Sequence, residues 1–324
     1  MRYGVVVCLC SINYAFGADR AAEQWERKMA AAREQLSRAA YGEAVETLRQ
    51  ALAVAETFGS RDARRWVTRD TLASSEEALS RLDDAELQYR AALDEIQTAI
   101  GKDNADYAAI ESHLASVLGL RGRLHQAETL LRDSLSRQAR FFSADSERLA
   151  GARNFLAEVL IGQRRYREAE NELNLALPVF ERQPSQTMTA VALNNLATIR
   201  HRQRRDPEAR QLLERSIDVL RLDITPYHPL LGRTYHNLAS VDFLTGRREE
   251  AGRLYRQALD SLRRLGPSHP VYLAALADYA LFLRRTGHKA EARSVEAQVR
   301  TALADSPRID GVGMSVDVSS FRPN

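Results

Sequence analysis

The side chains that could perform chemistry are few in this sequence, and their spacing does not suit catalysis. No two of the seven histidines are four residues apart, which is the spacing with which one helix face holds a zinc ion. Both cysteines, Cys8 and Cys10, lie near the start of the chain, so the remainder can form neither a disulfide nor a thiolate metal site. We therefore expect no metal site.

Other catalytic arrangements are also missing from the sequence. The glycines Gly311 and Gly313 neither follow a strand pattern nor open a helix, so they do not form a phosphate-binding loop. No serine lies in the strand–turn–helix context of a nucleophile elbow. Carboxylates are abundant, but their spacing places them on the solvated outer faces of helices. The sequence predicts a protein that is not an enzyme and holds no cofactor.

Composition limits the class of partner. The chain has 324 residues, of which 44% are hydrophobic, so it can bury a core. Its 46 basic residues are nearly balanced by 43 acidic ones, and a net charge of +3 over this length does not indicate nucleic-acid binding. We expect a protein or peptide partner instead.

The first residues resemble a secretory signal. An apolar run from Val5 to Cys10 follows Arg2, and small residues at Gly17 and Ala18 precede an abruptly charged segment. The run is shorter than the ~20 residues that span a membrane. We predict a signal peptide over residues 1–18, cleaved near Gly17 or Ala18, and a periplasmic or secreted protein. Two alternatives stay open, namely an uncleaved anchor, which would be the only link to a membrane, and no export.

Three sequence anchors recur in fixed register through most of the chain. The first is an alanine that usually follows an acidic residue, and its successive steps are 41, 42, 42, 40, 42 and 41 residues. The second is a Leu-Ala pair, with Tyr279-Ala280 as a variant, whose alanine lies 12 residues before the first anchor. The third is an Ala-Leu or similar pair seven residues after the first anchor. The first-anchor alanines are Ala44, Ala85, Ala127, Ala169, Ala209, Ala251 and Ala292.

Each unit predicts two amphipathic helices joined by a turn. In the unit near 229–264, apolar residues lie on one face before Gly246-Arg247 and again after it, and glycine commonly lies just past a helix end. One helix pair cannot bury its apolar face alone, so stacked pairs must share a continuous core. We predict an all-α, right-handed superhelical α-solenoid with a concave groove lined by the first helix of each unit. The predicted units lie near 22–58, 63–100, 105–140, 147–182, 187–222, 229–264 and 271–303.

The segment Asn194-Asn195-Leu196-Ala197, with the acidic-Ala and Ala-Leu pairs that follow, resembles tetratricopeptide repeats. The spacing near 42 residues and the Leu-Gly-Pro-Ser-His-Pro segment at 265–270 are similar to the longer, kinesin-light-chain-like variety. The resemblance covers residues 22–303 and implies protein or peptide binding. Three residues depart from its apolar pattern, namely Glu76, Arg200 and Asp242, and the first unit has Ala31-Ala32 in place of Leu-Ala.

The resemblance also implies which residues line the groove. In the family, the position two before the Leu-Ala pair and the position after it point inward. Here these positions are mostly small or polar, and further basic residues lie along the same face. The predicted peptide-binding residues are Asn154, Asn194, Thr198, His201, Arg202, Arg233, His236 and Arg284. Because the first repeats contribute Asp70 and Glu77, we expect a groove that is acidic at one end and basic at the other, with the basic end suited to an acidic peptide segment.

An alternative interpretation of these residues stays open. The asparagines could hold neighbouring helices together through their amides, and the arginines could form a solvated rim. His228 and His269, each before a proline in a loop between units, are predicted to serve the turns rather than chemistry.

The C-terminal segment 304–324 breaks the helical period, and we expect it to be extended or disordered, or to lie along the last repeats. As to function, the main hypothesis is a non-catalytic scaffold in the cell envelope. The alternatives are a cytoplasmic regulator of the same fold and an accessory subunit that positions a separate enzyme. An enzyme in its own right is disfavoured because the segments outside the repeats are too short to form a catalytic domain.

Overall fold

The computed structural model describes residues 20–184, 186–223 and 228–304, and these residues form fourteen α-helices and no strand. The prediction of an all-α fold of seven helix pairs is confirmed. The signal peptide predicted over 1–18 and nearly all of the tail predicted over 304–324 lie outside the described residues. The helices are α1 Arg20–Ser37, α2 Tyr41–Ala55, α3 Ala63–Ala78, α4 Leu82–Ile100, α5 Ala105–Leu120, α6 Leu124–Gln138, α7 Glu147–Gly162, α8 Tyr166–Phe180, α9 Thr187–Arg202, α10 Asp206–Asp223, α11 Pro229–Leu244, α12 Arg248–Leu262, α13 Pro270–Arg285 and α14 Lys289–Ala304.

The chain divides into two compact units. Among the described residues, unit 1 comprises 20–119 and 123–159, and unit 2 comprises 120–122, 160–184, 186–223 and 228–304. Within unit 1, α1 contacts α2, α2 contacts α3, and α3 contacts α4. Within unit 2, each helix from α8 to α13 contacts the next helix in the chain. Packing between sequence neighbours is the arrangement expected of a helical repeat.

The anchor alanines are among the most deeply buried residues in both units. Six of the seven first-anchor alanines are completely buried, and the seventh, Ala292, is 1% exposed. The alanines of the Leu-Ala pairs are buried to the same degree, as Ala73, Ala115 and Ala239 illustrate. A methyl side chain lets two helices approach closely while still excluding water. The recurrence of alanine in the sequence is therefore a packing requirement.

The turn inside every helix pair has the same backbone. One residue in each turn has a positive φ, and a backbone N–H just after it closes a bond to the carbonyl five residues earlier, for example Arg247 to Asp242 at 2.8 Å. This is the usual way to end a helix with a left-handed residue. The turn residues with positive φ are Ala39, Ser80, Gly122, Arg164, Arg204, Gly246 and Gly287.

The loops before α11 and α13 begin their helices in one common way. Pro229 and Pro270 occupy the first turn, where a missing N–H costs nothing. His228 and His269 precede them, and each ring Nδ1 accepts a hydrogen bond from the backbone N–H two residues later. The predicted turn role of these two histidines is confirmed.

The three charged residues that depart from the apolar pattern all form ion pairs with the preceding second helix. Buried Glu76 pairs with Arg49 of α2 at 3.3 Å, and buried Asp242 pairs with Arg210 of α10 at 2.9 Å. Arg200 reverses the polarity and pairs with Glu170 of α8 at 2.5 Å. Each pair replaces an apolar contact at one position of the repeat.

Over 20–184, 186–223 and 228–304, no helix has the length and apolarity needed to cross a membrane.

Candidate functional site

The first helices of neighbouring repeats are connected by polar pairs at one recurring position. His113 Nδ1 lies 2.7 Å from Asp70 Oδ1 in unit 1, and His236 Nε2 lies 2.7 Å from Asp278 Oδ2 in unit 2. Asn237 Nδ2 donates to Asn194 Oδ1 at 3.2 Å. In each contact, the residue two positions before the Leu-Ala pair of one repeat meets the residue one position before the Leu-Ala pair, or its Tyr-Ala variant, of the next repeat. We call these three contacts the inter-repeat pairs.

Asn194, one of the predicted peptide-binding residues, is 3% exposed. Its amide nitrogen donates to the carbonyl oxygen of Ala190 at 2.9 Å, to Ser216 Oγ at 2.8 Å and to Thr234 Oγ1 at 3.0 Å. Its oxygen accepts from Asn237, so both ends of the amide are used inside the fold. This geometry favours the alternative in which the asparagine joins helices α9, α10 and α11.

Two other predicted residues, Asn154 and Thr198, also bond within their own helices. Asn154 is completely buried and donates to Glu158 Oε1 at 3.1 Å in unit 1. Thr198 is partly buried in unit 2, and its hydroxyl donates to the carbonyl oxygen of Asn194 at 3.0 Å. Glu158 and Thr198 follow the Leu-Ala pair in their repeats and are partly exposed, whereas Ser116 and Ser240 at the same position are buried.

The predicted histidines of unit 2 are buried and paired with carboxylates. His201 is 5% exposed, and its Nδ1 lies 2.6 Å from Asp206 Oδ1 at the start of α10. His236 is 1% exposed and forms the inter-repeat pair with Asp278. Both rings are therefore held inside the unit.

The predicted arginines of unit 2 differ in their surroundings. Arg284 is exposed and forms an ion pair with Glu296 of α14. Arg202 is partly buried at the end of α9. Arg233 is also partly buried, and it has no hydrogen-bond or ion-pair partner among the described residues. Arg233 therefore differs from Arg284, because its guanidinium is not paired with any carboxylate in the described part of the chain.

The first helices of unit 1 carry a connected polar cluster. Ser116 donates to Glu77 Oε1 at 3.1 Å, and the Tyr89 hydroxyl lies 3.5 Å from Glu77 Oε2 and 2.9 Å from Ser74 Oγ. The ring of His113 lies 5.8 Å from that of Tyr89. With the Asp70–His113 pair, these contacts link α3, α4 and α5. We call this the acidic cluster, and its members are Asp70, Ser74, Glu77, Tyr89, His113, Ser116 and Glu158.

Two groups of the acidic cluster have altered acidity. Burial raises the pKa of Glu77 to about 7, and the nearby Glu158 carboxylate adds to this, although Ser116, Tyr89 and His113 act in the opposite direction. Burial alone would lower the pKa of His113, but the Asp70 and Glu77 carboxylates outweigh it and raise that pKa above its usual value. Asp70 and Glu77, the residues predicted to make the early repeats acidic, thus belong to one cluster, in which burial brings the pKa of Glu77 to about 7.

Within the part of the chain that the structure describes, no group of three histidine, cysteine or carboxylate side chains could hold a metal ion.

A sequence model of the tetratricopeptide repeat matches residues 106–182, 145–222, 188–264 and 230–305, which together cover more than half of the chain. The chain belongs to the tetratricopeptide repeat family. The resemblance noted in the sequence is thereby confirmed, and with it the expectation of a protein-binding repeat array. No curated protein matches this tetratricopeptide repeat protein at a significant level.

Solved structures with the same fold are distant in sequence. A Rap protein complexed with competence and sporulation factor has a TM-score of 0.56 and 11% identity, covering 87% of this chain and 98% of the Rap chain. The apo form of RapI has a TM-score of 0.53 and 12% identity, covering 90% and 78%. BtubC (BKLC) from P. vanneervenii has a TM-score of 0.50 and 23% identity, covering 74% and 90%. These similarities establish a shared fold.

Sequence reasoning missed two kinds of residue in this tetratricopeptide repeat protein. It assigned no hydrogen bonds to the tyrosines of the second helices, although Tyr89 and Tyr255 each follow an anchor alanine by four residues and bond to Ser74 and Ser240. It also overlooked the column one before the Leu-Ala pair, which supplies half of every inter-repeat pair. The sequence signal for the inter-repeat pairs was the presence of complementary side chains, such as Asp70 and His113, about one repeat apart.

Proposed function

We propose that this tetratricopeptide repeat protein is a non-catalytic scaffold that binds a partly acidic polypeptide segment along the first helices of unit 2. The observation that carries the proposal is Arg233, a partly buried residue whose guanidinium has no partner in the described part of the chain. An incoming carboxylate would supply the missing acceptor and could bind the guanidinium with two parallel hydrogen bonds.

The neighbouring surface supports the same choice of ligand. Arg202 ends α9 and Arg284 and Arg285 end α13, so basic side chains occur on the first helices of unit 2. Asn237 lies one helical turn after Arg233 and is partly exposed, so the two residues lie on the same face of α11. In a Rap protein of similar fold, the complex with competence and sporulation factor shows that this architecture can hold a partner.

The proposal places the scaffold in the cell envelope, as a periplasmic or secreted protein. Its support is the apolar run from Val5 to Cys10 followed by small residues at Gly17 and Ala18. Mass spectrometry of the N-terminus after expression and fractionation in a Gram-negative host tests this part. A mature start near Ala18 or Asp19 in the periplasm is expected, whereas an intact Met1 in the cytoplasm would favour the cytoplasmic regulator.

Charge reversal tests the binding surface. We expect a fluorescent peptide containing four consecutive glutamates to bind the full-length protein more tightly than its lysine counterpart. We expect Arg233→Glu to weaken that binding at least tenfold, because it replaces attraction by repulsion at the contact.

Arg300→Glu is the matched control, since it makes the same charge change at an exposed position on α14. Equal losses in the two variants would show that only net charge matters, and the proposed surface would be wrong.

A further inference from the structure

The acidic cluster connects α3 and α5, two successive first helices of unit 1, through side-chain contacts. Its contacts from α3 to α5 are the Asp70–His113 pair at 2.7 Å and the Ser116–Glu77 bond at 3.1 Å. Tyr89 of α4 lies against both Glu77 and the His113 ring. His113 also meets the edge of the Phe155 ring of α7 at 6.0 Å. A change in the charge of Glu77 or His113 therefore acts directly on the packing between repeats.

The groups that face this cluster come from four helices. Helix α7 contributes the charge of Glu158 towards Glu77 and the charge of Arg148 towards His113. Arg148 also lies over the Phe142 ring at 5.0 Å. The titratable or charged groups that act on Glu77 and His113 are Asp70 and Glu77 of α3, Tyr89 of α4, His113 of α5, and Arg148 and Glu158 of α7.

We propose that the acidic cluster is a pH-responsive joint, in which Glu77 and His113 tighten the packing of α3 against α5 below neutral pH and loosen it above. In the acidic form, neutral Glu77 can lie near Glu158 without repulsion, and cationic His113 is fully paired with Asp70. In the alkaline form, Glu77 repels Glu158 and His113 loses its charge.

Both groups act in the same direction. Each has a folded-state pKa above its usual value, so each stabilises the fold at low pH and loses that contribution as the pH rises through its folded pKa. For Glu77, this loss of stability begins as the pH rises above the usual pKa range of a glutamate, and it is complete beyond pH 7. Each deprotonation also makes this face one charge more negative, so the face changes its attraction for a cationic segment over the same interval.

Hydrogen exchange on the full-length protein tests the joint. Peptides covering α3 and α5 are followed at pH 6 and pH 8, and the rates are divided by the intrinsic exchange rates at each pH. In the wild type we expect protection to fall roughly tenfold between the two values. In Glu77→Gln, which mimics the protonated carboxyl, we expect most of that fall to disappear.

Two further measurements make the result decisive. Glu46→Gln removes an exposed carboxylate of α2 in the same unit and should retain the full wild-type pH dependence. The NMR titration of the His113 ring, assigned with His113→Gln, should move towards the usual pKa in Glu77→Gln. Identical pH profiles for the wild type and Glu77→Gln, with an unshifted His113 titration, would overturn the proposal.

Discussion

Replacement of Asn194 by alanine distinguishes a structural amide from a ligand-binding one. The substitution removes two N–H groups shared among three oxygen acceptors and the oxygen that accepts from Asn237. If about three net hydrogen bonds are lost at ~1 kcal/mol each, and alanine returns ~0.5 kcal/mol of helix propensity, the expected loss is ~2–3 kcal/mol. A small cavity at this buried site adds to the loss.

Urea unfolding followed by circular dichroism measures this loss, and exchange protection of α9 and α11 localises it. Thr198→Ala is the matched control one helical turn away, because its hydroxyl makes one hydrogen bond to its own helix and is partly exposed. We expect it to cost less than ~0.5 kcal/mol. If Asn194→Ala leaves stability unchanged but abolishes binding of the glutamate peptide, the amide faces the ligand and the structural assignment is wrong.

Three further predictions, made with five substitutions, test the packing and the electrostatics. Gly232→Ala should destabilise the protein by ~1–3 kcal/mol, because its new methyl group would lie 2.7 Å from Leu262 Cγ and 2.9 Å from Ser261 Cβ. Gly151→Ala should instead stabilise it by ~0.5–1 kcal/mol, because no atom lies within 4 Å of the new methyl group. Thermal unfolding that ranks the two variants in the opposite order would contradict the packing of α11. Asp242→Leu should change the free energy of unfolding by less than ~1 kcal/mol. Arg210→Met should lower it by ~2–3 kcal/mol in urea unfolding, because it leaves the buried Asp242 carboxylate with only Arg247 as a partner. The opposite order of the two variants would show that the ion pair is strongly stabilising. Burial lowers the pKa of His228 to about 3, so the contribution of its neutral ring to stability is present above pH ~6.5 and is lost as the pH falls towards 3. His228→Asn keeps a capping side chain and should flatten the profile of stability against pH over this interval. An unchanged profile would show that His228 is not the source of the pH dependence.

The repeat architecture could be predicted from the sequence because packing imposes it locally. Alanine recurs where helices touch, glycine or a tolerated substitute recurs at each turn, and proline marks the starts of α11 and α13. Each of these signals lies within one repeat and depends on short-range geometry. The same reasoning assigned His228 and His269 to turns.

The details of the candidate site could not be predicted in the same way. Whether Asn194 faces a groove or a neighbouring helix depends on the residues opposite it, and Thr234 lies 40 residues away in sequence. The raised pKa of Glu77 likewise depends on burial and on Glu158 of another repeat. Complementary columns such as those of Asp70 and His113 carry the missing information, but they have meaning only once adjacent repeats are superposed.

The uniform turns have a consequence for the recombination of repeats. The turn within each helix pair, or hairpin, has the same backbone whether its residue of positive φ is glycine, alanine, serine or arginine. The 12-residue spacing between the two anchors within a hairpin is invariant. The steps from one hairpin to the next, in contrast, vary from 40 to 42 residues. A hairpin could therefore be excised, duplicated or exchanged at the loops without changing its own conformation. The inter-repeat pairs restrict such exchanges, because Asp70 needs a histidine, and Asn194 an asparagine, in the hairpin that follows. Gene duplication can multiply the modules freely, but chimeric arrays must keep these neighbours together.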